Sequence, residues 1–134
     1  MGWTFQERFL PQEHWALLGV NVDTDMYASW YQHAMRLLMP YRNVRLYAHR
    51  SPDDVSYWWT DEIDMLFEDS SHENPQLNGT LEFWAPLVRS GGIIAGHDYG
   101  LELWPDVTNE AQALAQRYGA ELHVVNSLWW IQKP

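Results

Sequence analysis

Carboxylates and imidazoles recur in this chain where apolar runs stop. Asp23 closes the run from Trp15 to Val22, Glu68 and Asp69 follow Ile63 to Phe67, and His97 and Asp98 follow Ile93 to Ala95. In open parallel sheets, ligands bind outside the carboxyl ends of the strands, so these are the positions where chemistry would sit. Asp23 suits an acid that accepts hydrogen bonds from ribose hydroxyls, since one carboxylate takes two O–H donors; capping the next helix is its structural alternative. Asp69 and Asp98 suit a shared hard divalent cation, or else each hydrates and caps its own turn. His97, between a strand and a glycine-flanked loop, suits a general base working near neutral pH. His72, three residues after Asp69, suits the same task or the orientation of that loop, and a purely structural role stands against catalysis for both histidines. Tyr99, Trp104, Trp58 and Trp59 are placed to stack on a ligand ring or simply to cover apolar surface. The chain has no cysteine, which excludes thiolate nucleophiles, thiolate zinc sites and disulfides together. It also lacks a Gly-x-Ser-x-Gly elbow, a phosphate-binding Walker loop and a His-Glu-x-x-His helix.

The elements that must hold these residues follow from hydrophobic periodicity. The run from Trp15 to Val22 reads as a strand buried on both faces. Asp25 to Met39 has helical spacing, with Thr24 or Asp25 as cap and Pro40 as stop. Val44 to Ala48 reads as a short strand, and Ser51-Pro52-Asp53-Asp54 as the start of a brief helix. Ile63 to Phe67 is a strand, and Pro75 to Val88 a helix ended by Ser90-Gly91-Gly92, with a glycine for the left-handed cap. Ile93 to Ala95 is a strand, Pro105 to Tyr118 a helix capped by Gly119, and Glu121 to Val125 with Leu128 to Gln132 an antiparallel hairpin across Asn126-Ser127. Strands alternating with helices predict an α/β class with a mainly parallel sheet.

With 134 residues, the chain is long enough for one domain with its own core and too short for two, so residues 1–134 are expected to form a single domain. Apolar residues make up 46% and charged residues 19%, a globular composition. The net charge is −10, Lys133 is the only lysine, and no Lys or Arg occurs between Ser51 and Val88. Such a surface repels phosphate backbones, which argues against nucleic acid as a partner. Neither a membrane-spanning apolar run nor a secretory signal is visible, and a cytoplasmic protein is the expectation.

The segments Ile63-Asp64-Met65-Leu66-Phe67-Glu68-Asp69-Ser70-Ser71-His72 and Trp84-Ala85-Pro86-Leu87-Val88-Arg89-Ser90-Gly91-Gly92-Ile93-Ile94-Ala95-Gly96-His97-Asp98-Tyr99 resemble the second half of class I S-adenosylmethionine-dependent methyltransferases. The likeness is nearest to their small-molecule and sugar O-methyltransferase branch, which has an aspartate-rich turn with a histidine, a helix end with paired glycines, and a next strand ending in aspartate. Leu18 to Asp23 resembles the family's second strand with its ribose acid. The resemblance implies a three-layer, Rossmann-like, mostly parallel sheet closed by an antiparallel hairpin, with S-adenosylmethionine as cofactor. It places Asp23 on the cofactor ribose, Ser51 and Asp53 beside the adenine, and Asp69 facing the methionine part or a metal. Asp98 would be the second metal ligand in the divalent-dependent members, with magnesium the expected ion. Those members carry an acid just before that aspartate; this chain has His97 there, which strengthens His97 as the base. Trp3 to Pro11 resembles the helix after the family's glycine-rich cofactor loop, with Gly2 as the last glycine of that loop. On this reading the fold is N-terminally truncated, and a homodimer would cover the position of the missing strand.

Two functions are consistent with these residues. One is a methyltransferase acting on a hydroxyl of a small molecule or sugar. The other is a non-catalytic methyltransferase-like remnant that serves as a nucleoside-binding or protein-interaction module.

Overall fold

A computed structural model of the chain describes residues 24–44, 47 and 51–134. The chain divides into two units, Met1–Arg50 and Ser51–Pro134. In the first, helix α1 spans Thr24–Leu38; it already includes both residues expected to cap it, and it stops two residues before Pro40. Its last turns are tied by Met39 N–H to the Met35 carbonyl at 2.8 Å and Tyr41 N–H to the Leu38 carbonyl at 2.9 Å. Val44 and Tyr47 belong to no regular element, so the strand expected there is not formed at those two residues. The strand expected from Trp15 to Val22 lies outside the described residues.

The second unit opens with hydrogen-bonded turns over residues 51–58 and not with the expected brief helix: Val55 and Ser56 both donate to the Pro52 carbonyl, and the pattern breaks at Tyr57. Strand β1 (Ile63–Glu68), helix α2 (Gln76–Leu87), strand β2 (Val88–Gly96), helix α3 (Pro105–Tyr118), strand β3 (His123–Val125) and strand β4 (Leu128–Gln132) follow. The four strands make one sheet in the order β1-β2-β4-β3. β1 and β2 are parallel, with Leu66 opposite Ile94 and Glu68 opposite Gly96. β4 runs antiparallel to both β2 and β3. The unit is therefore α/β with a mixed sheet, its parallel pair joined through α2 and its last strands closed by the expected hairpin.

Helix α3 forms where the sequence placed it. Pro105 opens the first turn, Asp106 lies there with its charge toward the positive end of the helix, and Gly119 closes the helix at φ 60°. Helix α2 ends differently from the expectation. Val88 is already extended at ψ 125°, and Ser90-Gly91-Gly92 belong to β2, where the pairing register with β1 slips. Gly91 does take a left-handed φ of 77°, but it serves a strand irregularity fastened to the chain end, with Gly91 N–H donating to the Lys133 carbonyl at 2.7 Å. The open carbonyls at the end of α2 are satisfied by the only lysine, whose Nζ donates to Pro86 at 2.9 Å and Val88 at 2.6 Å.

Both helices pack on one face of the sheet. Leu77, Leu81 and Ala85 of α2 and Val107, Ala111 and Leu114 of α3 enclose Ile94, Trp129 and Ile131. Polar ties fix the two helices at their N-terminal ends: the Glu110 carboxylate accepts from Asn74 Nδ2 at 2.8 Å and Asn78 Nδ2 at 3.1 Å. The Asn74 side chain also caps α2 by accepting from Asn78 N–H at 3.0 Å. Ile131 is wholly buried in this core, so Ile131→Ala should lower the unfolding free energy by roughly 2–5 kcal/mol in a urea titration.

Candidate functional site

The parallel pairing of β1 with β2 brings two loops together, residues 69–75 after β1 and residues 97–104 after β2. Their register ends at Glu68 opposite Gly96, so Asp69 and His97 leave the sheet at the same height. Glycine is required there: a Cβ on residue 96 would come within 2.7 Å of the Glu68 carbonyl and of the Trp129 ring. Beyond that point Asp98 adopts a left-handed φ of 63°, a conformation that aspartate tolerates better than most residues. Its loop is held by Tyr99 N–H to the Ser127 carbonyl at 3.0 Å and Gly100 N–H to Thr108 Oγ1 at 2.9 Å.

Asp69, His72 and Asp98 each present one donor atom, and these atoms lie within 4.8 Å of one another. His72 Nε2 is hydrogen-bonded to Asp98 Oδ2, and its ring packs on Trp104 with centroids 4.7 Å apart. His97 approaches from the other side, its Nδ1 3.0 Å from Asp98 Oδ1 and its Nε2 2.9 Å from Ser127 Oγ. Asp98 thus sits between two imidazoles, one oxygen to each. His72 is buried and His97 is half exposed, at 46% of its side chain. Below these groups lies a small recess lined by Glu68, Asp69, His72 and His97, with Leu77, Val107 and Trp129 as apolar lining.

Burial pushes the Asp69 carboxyl above its usual range, and the neighbouring charge of Asp98 pushes it the same way; His97 and His72 act in the opposite sense. Glu68 is also pushed up by burial, against the pull of Ser70, whose backbone N–H and hydroxyl both donate to its carboxylate. Glu68 fastens the start of the Asp69 loop from inside the fold.

The structure thus gathers Asp69, His72, His97 and Asp98 into one cluster. Ser51 and Asp53 lie in the turns of residues 51–58, where Ser51 Oγ accepts from Trp84 Nε1 at 2.6 Å, in the last turn of α2. Gly2 and Asp23 lie outside the described residues. Of the aromatic residues, Tyr99 and Trp104 pack against the core, and Trp59 meets Trp84 edge-on at 5.2 Å, so cover of apolar surface accounts for these three. One contributor has no signal of its own in the sequence: Ser127, a turn residue of the hairpin. Glu68 reads as a strand-end acid, but its buried role in fastening the Asp69 loop has no local signal.

A methyltransferase-domain family matches residues 9–99. That is more than half of the chain, and the chain belongs to this family. The match runs through both units and ends at the Asp98 loop. The cofactor of such domains is S-adenosylmethionine. Among solved structures, the chain is similar to MycE, a methyltransferase from the mycinamycin biosynthetic pathway in complex with Mg, SAH and mycinamycin VI. The likeness has 17% identity and a TM-score of 0.43, over 52% of this chain and 25% of that one; this chain therefore spans only about a quarter of that chain's length. No curated protein sequence matches the chain significantly. Among the described residues, no helix is long and apolar enough to cross a membrane.

Because the folded state binds the Glu68 proton more tightly than the unfolded chain does, its favourable contribution is complete below the ordinary value of 4.5 and is lost as pH rises through the raised one. Glu68→Gln keeps an acceptor oxygen without the buried charge. In chelator-treated protein it should flatten the fall in melting temperature as pH rises above the ordinary value of 4.5; parallel curves for the two proteins would assign the pH dependence to other groups.

Proposed function

We propose that this chain carries out S-adenosylmethionine-dependent methylation of a hydroxyl on a small molecule or sugar, at the site formed by Asp69, His72, His97 and Asp98. The observation that supports this reading is the geometry around Asp98. With the proton of His97 on Nδ1, 3.0 Å from Asp98 Oδ1, Nε2 is an acceptor, and the hydroxyl it meets in this structure, that of Ser127 at 2.9 Å, stands where an acceptor hydroxyl would bind. A carboxylate that fixes the imidazole tautomer and leaves the other nitrogen as acceptor is the arrangement of an oriented general base. The half-exposed His97 is the residue that an acceptor from solvent can reach. His97 Nε2 would take the proton of the acceptor hydroxyl, and S-adenosylmethionine, when bound, would supply the methyl group to that oxygen with the sulfur as leaving group. Positioning of oxygen, methyl and sulfur in line supplies the larger share of the rate, and the base about 10²–10⁴-fold.

The donor set of Asp69, Asp98 and His72 fits a divalent cation of the magnesium or manganese kind. Two carboxylates and an imidazole converge within 4.8 Å, Asp69 is raised by its burial and by Asp98, and the sequence from Ser51 to Val88 offers no Lys or Arg to balance them. Such a cation supplies Lewis acidity toward a hydroxyl oxygen when bound. S-adenosylmethionine supplies an electrophilic methyl group when bound, and Gly2, Asp23, Ser51, Asp53 and Asp69 are the residues assigned to hold it. Family membership and the residue pattern around Asp69 and Asp98 favour this reading over a non-catalytic remnant.

Titration calorimetry of the full chain with S-adenosylmethionine, with and without Mn²⁺, tests the proposal directly. Micromolar binding that is lost in Asp23→Ala supports it, and the absence of heat from a folded chain overturns it in favour of the remnant. With methyl-labelled S-adenosylmethionine and a panel of hydroxylated glycosides, His97→Ala should reduce kcat by about 10²-fold or more, whereas an unchanged kcat would remove His97 as the base.

A further inference from the structure

The β3–β4 turn reaches the site through a residue whose type predicts nothing by itself. Ser127 holds the loop that carries His97 and Asp98 at two points. Its carbonyl accepts from Tyr99 N–H at 3.0 Å, and its hydroxyl lies 2.9 Å from His97 Nε2. Asn126 before it takes a left-handed φ of 55°, which turns the chain so that both groups of Ser127 belong to a tight two-residue hairpin connection. The hairpin itself is anchored, because β4 lies in the middle of the sheet and carries the buried Trp129 and Ile131. A rigid strand therefore presents the hydroxyl to a half-exposed imidazole that is otherwise held at one nitrogen only, by Asp98.

We propose that Ser127 is a positioning residue: its hydroxyl, held by the β3–β4 turn, fixes the His97 ring in the orientation that keeps Nδ1 beside Asp98. In the resting site the Ser127 hydroxyl donates to Nε2, with Nδ1 3.0 Å from Asp98 Oδ1; an acceptor hydroxyl takes the place of the Ser127 hydroxyl on that lone pair after the ring has been oriented. His72 holds the second oxygen of the same carboxylate, so the orientation of Asp98 depends on both imidazoles. The consequence reaches two functions assigned above, the base and the cation site, and the inference rests on that reading of His97 and Asp98. Residues behind a metal ligand that fix its orientation are typically worth 10–100-fold in metal affinity.

Ser127→Ala isolates the hydroxyl, since the carbonyl that binds Tyr99 N–H is retained; Ser127→Thr restores a hydroxyl at the same place. Two readouts are compared at one fixed pH in wild type and both variants: the ring ¹⁵N shifts of His97 by NMR without metal, and Mn²⁺ affinity by calorimetry. Melting temperature serves as the control for folding. The expected result is one sharp pair of His97 ring ¹⁵N shifts in wild type and Ser127→Thr, displaced or broadened shifts in Ser127→Ala as the imidazole loses its Nε2 partner and samples other rotamers, and Mn²⁺ binding weakened about tenfold only in Ser127→Ala. Unchanged His97 shifts in a folded Ser127→Ala would overturn the positioning role, whatever the metal does. If His97 responds but wild type binds no Mn²⁺ at millimolar concentration, the positioning role stands and the cation site of the preceding proposal falls. Mn²⁺ affinity within twofold of wild type in Ser127→Ala would confine Ser127 to His97 and sever its link to Asp98.

Discussion

The arrangement of the site depends on how closely two parallel strands and a tryptophan meet at one glycine. Glu68 and Gly96 face each other at the ends of β1 and β2, and the space beside Gly96 is filled by the Glu68 carbonyl and the Trp129 ring, each within 2.7 Å of where a side chain would begin. Close packing leaves no room for the smallest addition. Because the strands end level with one another, the next residues of both chains emerge side by side, and Asp69 and His97 enter the same few ångströms of space. A slip of one residue in that register would turn every β1 side chain to the opposite face.

The second constraint is electrostatic. Two carboxylates are held near each other with no cationic side chain from the surrounding segment to balance them. The structure answers with imidazoles: His72 takes one oxygen of Asp98, His97 the other. This leaves Asp69 with burial and a neighbouring negative charge acting against its ionised form, a state that a cation relieves and a remote surface cluster would not produce. The carboxylates are thus organised by tertiary contacts that reach from α2's leading loop, the β2 loop and the hairpin turn.

Much of the frame was legible in the residues. Helix α3 with Pro105 at its start and Gly119 at its end, the strand Ile63–Glu68, and the hairpin across Asn126-Ser127 all carry local signals strong enough to stand alone. The errors fall where a local signal has two uses. Ser90-Gly91-Gly92 reads as a helix terminus because glycine permits a left-handed residue, and Gly91 adopts one; pairing with β1 and the chain end placed it in a strand instead. Ser51-Pro52-Asp53-Asp54 reads as a helix start, yet the segment closes into turns and gives Ser51 to Trp84. In both cases a contact distant in sequence outweighed a preference of about 1 kcal/mol or less per residue.

The sequence by itself determined the class of fold, the family, and the set of groups able to do chemistry, because periodicity, capping residues and strand-end acids act over a few neighbouring positions. Tertiary structure alone decided how those groups are joined. Asp69 and Asp98 are 29 positions apart, and whether they share a cation depends on strand register and not on spacing. The division of Asp98 between two histidines, the placing of Ser127 against His97 and the burial of Glu68 arise from packing between elements. Such contacts have no local signature: a hydroxyl in a turn is the same residue whether it faces solvent or an imidazole, and only the fold determines which.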